Sequence, residues 1–189
     1  MRPQRLWIFG APGAGTTTLG RALAARMGAP FFDTDDYYWF TDDPLPYRRK
    51  RNAQHRLQLL TQDLEGRESF VVAGALLGWG DPLIRRFDAA VYRWLPADVR
   101  LTRIQQREAA RYGAERIAPG GDLHAVFEKF LRWAEQYDTA PPEKLRSYAA
   151  EQQWINTQIH LPLIQSTEDL PPEALAEVVW QRLIAALYR

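Results

Sequence analysis

The sequence contains no cysteine. That excludes disulfides, thiolate zinc sites and a cysteine nucleophile, and it points toward a reducing, cytoplasmic setting. Lysine is almost missing as well. Of 24 basic residues, only Lys50, Lys129 and Lys144 are lysines, which leaves 21 arginines. Three histidines in the whole chain argue against a His-rich metal centre. The formal net charge is only +1, so nothing in bulk draws the chain to nucleic acid or to an anionic membrane. No apolar stretch reaches the length of a membrane-spanning helix. The opening Met1-Arg2-Pro3-Gln4-Arg5 runs almost at once into a glycine loop and does not read as a signal peptide.

What is present is a chain of 189 residues, long enough to bury a core and expected to fold as one domain. The arginine excess reflects either codon bias or a use for bidentate forks, which grip phosphate and carboxylate groups. Short apolar runs alternate with helical spacings. Leu6 to Phe9 reads as a buried parallel strand, and Leu19, Leu23 and Met27 give a helix ended by Gly28. Further strands are expected at 30–33, 70–74, 89–95 and 161–164. Further helices are expected at 47–64, from Ala97, at 125–137, from Pro141 toward Trp154, and from Pro171 onward. Residues 112–122 are rich in Gly and Pro and read as a flexible loop. Alternating strands and helices imply a parallel sheet covered on both faces.

The chemistry concentrates at Gly10-Ala11-Pro12-Gly13-Ala14-Gly15-Thr16-Thr17, between the first strand and first helix. Gly10, Gly15 and Thr17 fit the phosphate-binding pattern of Gly, four residues, Gly-Lys and Ser or Thr. Glycines let successive N–H groups turn into one concavity, and the helix start adds partial positive charge. Gly10, Ala11, Gly13, Ala14, Gly15, Thr16, Thr17 and Thr18 are thus the expected ATP-binding residues, with the Thr17 hydroxyl toward Mg²⁺. Thr16 occupies the lysine position. Either another cation supplies the missing charge, or binding persists without catalysis. At the end of the second strand lies Asp33-Thr34-Asp35-Asp36, placed where carboxylates face ligands in open α/β sheets. The alternative there is an acidic turn with Asp36 capping a helix. Tyr37-Tyr38-Trp39-Phe40 and Arg48, Arg49 and Arg51 follow, suited to stacking and to anion binding. The third strand ends without an acidic residue. Arg100, Arg103, Arg107 and Arg111 recur at helical spacing, with Arg116 in the loop beyond. His124 reads as a residue at a helix start rather than an acid or base.

The loop Gly-Ala-Pro-Gly-Ala-Gly-Thr-Thr-Thr-Leu resembles that of nucleoside monophosphate kinases, some of which, among archaeal adenylate and cytidylate kinases, carry Ser or Thr in place of the lysine. Asp33-Thr34-Asp35 is similar to the motif of shikimate kinases. The resemblance implies a three-layer α/β P-loop fold with a five-stranded parallel sheet of order 2-3-1-4-5 and a lid. It also implies an acceptor-binding segment at about 36–65 and a lid at about 107–125. It assigns Asp33 to the Mg²⁺ shell, Asp35 to the acceptor hydroxyl, and Arg107 and Arg111 to charge compensation from the lid. The expected activity is transfer of a phosphoryl group from ATP–Mg²⁺ to a small anionic or hydroxylated acceptor. The alternative is a nucleotide-binding regulatory module without transfer. Acceptor identity and oligomeric state are not legible in the sequence.

Overall fold

The computed structural model describes residues 3–40, 42, 47–144 and 146–187. Among them, five parallel strands form one sheet in the order β2-β3-β1-β4-β5. They are β1 (Arg5–Gly10), β2 (Phe31–Asp33), β3 (Phe70–Ala73), β4 (Ala89–Arg93) and β5 (Leu163–Ser166). The order is the one the resemblance implied. The central strand β1 pairs with β3 on one side and β4 on the other, which is why its apolar run is continuous.

Alternate residues of β1 feed two separate cores. Trp7 and Phe9 stack at 3.8 Å and pack with Val72, Tyr92 and Trp154 on one face. Leu6 and Ile8 meet Leu19, Leu23, Val179 and Leu183 on the other. Fully burying an apolar side chain of this size contributes about 1.5–3 kcal/mol, so this strand anchors both layers. Helix α1 (Thr16–Met27) and α8 (Pro172–Leu187) cover the second face. The first is covered by α3 (Ala53–Leu64), a 3-10 turn (Asp81–Arg86) and α7 (Tyr148–Gln158). The short α2 (Thr34–Tyr38), α4 (Ala97–Tyr112), α5 (Ala114–Ile117) and α6 (His124–Glu135) surround the carboxyl ends of the strands. No helix among the described residues is long and apolar enough to cross a membrane.

Several boundaries differ from expectation. The helix expected from Tyr47 begins at Ala53, because the Asn52 side chain caps it by accepting from His55 N at 2.8 Å. The basic segment before it is extended, and Lys50 bridges Trp39 in an antiparallel pair. Strand β4 ends at Arg93 instead of Leu95, and β5 is shifted past Pro162, which lacks the N–H a strand interior requires. The expected flexible loop 112–122 contains α5 and is tied by the Arg116–Asp122 ion pair at 2.6 Å. The helix expected from Pro141 starts only at Tyr148, capped by Ser147. Residues 41 and 43–46, part of the expected acceptor segment, lie outside the described residues.

Candidate active site

The phosphate loop spans the gap from β1 to α1. At Gly10, φ is +142°, and a β-carbon there would lie 1.9 Å from the Arg93 carbonyl oxygen, so only glycine fits. That carbonyl accepts from Ala11 N at 3.0 Å, which fastens the loop to β4. Gly15 caps α1 with φ +91°. The first turn of α1 has no side-chain cap and no acidic residue. Its N–H groups and partial positive charge are thereby left for an anion.

Asp33 closes β2 beside this helix start. Its Oδ2 accepts from the Thr17 hydroxyl at 3.0 Å, and its Oδ1 accepts from Asp35 N at 3.1 Å. Asp33, not Asp36, is therefore the N-cap of α2. One carboxylate both starts the helix carrying Asp35 and holds the loop threonine. Asp35 and Asp36 are exposed to the cleft. Crowding by surrounding protein raises the Asp35 carboxyl above the ordinary carboxylate range, and the Asp33 charge adds to this, against Arg146 and Arg107. Burial and Asp33 raise Asp36 in the same direction.

These groups line a cleft of about 900 Å³ together with Gly13, Ala14, Gly15, Thr16 and Thr18. Five arginines and three aspartates face it, an arrangement suited to a polyanion held beside a cation. Gly10 and Ala11 shape the loop from behind. Arg107 reaches the cleft while its Nε donates to Glu108 at 2.9 Å. Arg111 Nη1 donates to the Tyr47 hydroxyl at 2.6 Å. Desolvation pulls the Arg111 pKa down, but Tyr47, Tyr112, Glu108 and Asp35 outweigh it and the net shift is upward. Arg107 and Arg111 thus line one cleft with the phosphate-loop residues.

Other residues fall elsewhere. Arg116 pairs with Asp122 outside the cleft, and His124 Nδ1 lies 3.0 Å from the Ile117 carbonyl, a local tie of the helix start. Tyr37 is core, its hydroxyl donating to Asp63, whereas Trp39 and Phe40 line the cleft. Arg49 and Arg51 each stack 4.7 Å over the Phe40 ring. Gly74, just past β3, makes room for Thr34, whose Oγ1 would lie 1.9 Å from a β-carbon there. Sequence reasoning missed Arg21 and Arg93 and set Arg103 aside, yet all three line the cleft. The one available signal was for Arg93, a charge within the apolar run expected as a strand at 89–95.

The donor chemistry at Thr17 and Asp33 fits Mg²⁺, which takes hard oxygen ligands and needs only one or two from protein when phosphates and water complete the shell. No cluster of three or more His, Asp or Glu with metal-binding geometry occurs among the described residues.

No protein-family model matches the chain. The chain is 39% identical over 166 residues to the uncharacterized protein YqaC of Bacillus subtilis (strain 168), covering 88% of this chain and 89% of that protein. Among solved structures, the shikimate kinase from Acinetobacter baumannii in complex with shikimate aligns with a TM-score of 0.59 and 19% identity, over 96% of this chain and 93% of its own. The deoxyadenosine kinase from M. mycoides with bound dATP aligns with a TM-score of 0.58 and 12% identity, over 95% and 99%. At such identities these likenesses carry the fold. The chain therefore has the fold of the P-loop small-molecule kinases and belongs to the family of Bacillus subtilis YqaC.

Proposed function

We propose that this protein is an ATP-dependent phosphotransferase that moves a phosphoryl group from ATP–Mg²⁺ to a small acceptor bearing a hydroxyl or an anionic group. The observation that carries this reading is the junction of Thr17, Asp33 and Asp35 at the phosphate loop, facing Arg107 and Arg111 across one cleft. The N–H groups of Gly13 to Thr18 hold phosphate oxygens at the start of α1. Thr17 and Asp33 would hold the metal, which would supply neutralisation of phosphate charge. Asp35, whose raised pKa makes it the more avid proton acceptor, takes the proton of the acceptor hydroxyl as its oxygen attacks the γ-phosphorus and ADP leaves. Arg107 and Arg111 approach from the lid, residues 107–125, to spread the developing charge and exclude water. Residues 36–65 form the acceptor side, with Trp39 and Phe40 as its aromatic wall. The whole chain acts as one kinase unit in the cytoplasm.

The test is a screen of nucleoside monophosphates, nucleosides and hydroxy acids for acceptor-dependent ADP formation with ATP and Mg²⁺. ADP release that rises with one acceptor class above ATP hydrolysis supports the proposal. Thr16 motivates the second reading, a nucleotide-binding regulatory module. ATP binding without transfer to any acceptor, together with activity created by Thr16→Lys, would select that reading.

A further inference from the structure

Thr16 leaves the phosphate loop without its ammonium, but the sheet delivers a guanidinium beside Gly15, the neighbouring loop residue. Arg93 closes β4 in register with Gly10 and carries the carbonyl on which Ala11 rests. Its side chain is 1% exposed. Nη1 donates to Ser166 Oγ at 3.0 Å and Nη2 to the Glu168 carbonyl at 2.9 Å, which fixes the fork. Nε is buried with no hydrogen-bond partner among the described residues. It lies 3.9 Å from the point a β-carbon on Gly15 would occupy, and Arg103 Nη1 lies 3.7 Å from that point. Two guanidiniums therefore converge on the residue that caps α1.

The charge at Arg93 has no carboxylate in contact with it among the described residues, since Glu168 is paired to Arg182 and Asp169 to Arg103. Burial, and after it the adjacent Arg103 charge, push the Arg93 pKa down to about 10, against Glu168 and Asp169, so the group stays cationic at neutral pH. A buried cation with a like-charged neighbour and no carboxylate in direct contact, only Glu168 and Asp169 at longer range, is costly to hold. Ser166 and the Glu168 carbonyl are neutral, and an uncharged amide would serve them with less desolvation. The missing counter-ion belongs on the open side of Gly15, where the helix terminus also favours negative charge.

We propose that Arg93 is the fixed positive charge that replaces the loop lysine, and that its ligand is the di- or triphosphate of a nucleotide. This rests on the nucleotide-binding reading above. It locates the compensating charge in the sheet, beneath the loop, whereas Arg107 and Arg111 act from the lid. Because Arg93 is held before any ligand arrives, it serves binding in the open state. The lid arginines serve the transfer step.

The experiment measures calorimetric binding of inorganic tripolyphosphate, ATP and adenosine to the full chain and to Arg93→Met, Arg93→Gln, Arg93→Lys and the double variant Arg93→Met with Thr16→Lys. The expected result is that Arg93→Met and Arg93→Gln lose tripolyphosphate and ATP affinity by roughly tenfold or more while adenosine binding is unchanged. Arg93→Lys stays within a few-fold of the natural chain, and Thr16→Lys restores affinity in the double variant. If Arg93→Met does not fold, the Gln and Lys pair, similar in length and different in charge, carries the comparison. Tripolyphosphate affinity unchanged without the charge overturns the inference and leaves the nucleotide reading standing. Equal loss of adenosine and tripolyphosphate also overturns it, by marking the residue as structural. A natural chain that binds none of the three probes removes the nucleotide reading itself, and this inference with it.

Discussion

Asp33 is the residue whose two roles separate most cleanly. In Asp33→Ala both acceptors vanish. The α2 cap to Asp35 N costs about 1 kcal/mol and the Thr17 hydroxyl bond about 1 kcal/mol more. The Asp33 charge also raises Asp35 and Asp36, so its removal relieves like-charge repulsion and offsets part of that loss. The net is about 1–2 kcal/mol, or a drop in melting temperature of about 2–8 °C for a chain of this length. Asp33→Asn behaves differently. Its amide oxygen still caps α2 and its NH₂ group meets Thr17, which turns to accept, so stability stays within about 0.5 kcal/mol of the natural chain. Only the negative charge is gone. The assay is thermal melting with ATP in excess, with Mg²⁺ and with EDTA, beside ADP formation. At a ligand concentration about a hundredfold above Kd, binding adds about 2.7 kcal/mol of stability. The natural chain is expected to gain more from ATP with Mg²⁺ than from ATP alone, and Asp33→Asn to lose that increment along with most of its turnover. A variant that keeps both the Mg²⁺ increment and the rate would show Asp33 to be a helix cap with no part in metal binding.

Arg107→Ala and Arg111→Ala are expected to lower turnover at least tenfold, as roughly expected for loss of a transition-state contact, with little change in ATP affinity; unchanged turnover in both would rule out lid compensation. Arg100 is fully buried, donating to the Leu95 carbonyl at 2.7 Å and the Pro12 carbonyl at 3.2 Å and pairing with Asp138. Arg100→Met is expected to cost about 3 kcal/mol in urea denaturation, the low end for a broken buried pair because Asp138 is partly exposed. The Asp35 carboxyl has a folded pKa raised above its unfolded value, so its contribution favours folding at low pH and is lost as pH rises through the folded pKa. Asp35→Asn is therefore expected to melt higher than the natural chain at pH 7, with the gain shrinking toward pH 4, while transfer is abolished. A gain that persists undiminished at pH 4 would contradict the titration.

The sheet was legible because its signals are local. Leu6 to Phe9 is apolar at every position, which only a strand covered on both faces tolerates, and Gly28 marks the end of α1 without help from distant contacts. Where sequence reasoning failed, a side chain or a missing donor had redirected the backbone. Asn52 captured His55 N and moved the start of α3 by six residues, and Arg116 bound Asp122 and ordered a segment whose Gly and Pro content reads as loose. Such ties join residues three to six apart, and composition alone does not say which of the possible partners will meet.

The site divides along the same line. Thr17 was singled out by the phosphate-loop pattern and Asp33 by its place at the end of a strand, and the structure brings the two within hydrogen-bond distance. The arginines were harder to rank. Arg100, Arg103, Arg107 and Arg111 all fall within about 80° on one helical face, so spacing gives them one role. Their depth differs because α4 runs from the base of the phosphate loop to the mouth of the cleft. Arg100 is entombed beneath Pro12, Arg103 meets Arg93 over Gly15, and Arg107 and Arg111 reach the open end. Arg93 has no periodic signal, since its position at the loop depends on the register of β4 against β1, a pairing across more than 80 residues of chain. A charge inside an otherwise apolar run is nevertheless a physical anomaly that sequence alone displays. Burying a charge is costly unless something negative or hydrogen-bonding meets it, and in this fold Arg93 lies in register with Gly10, where the phosphate loop begins.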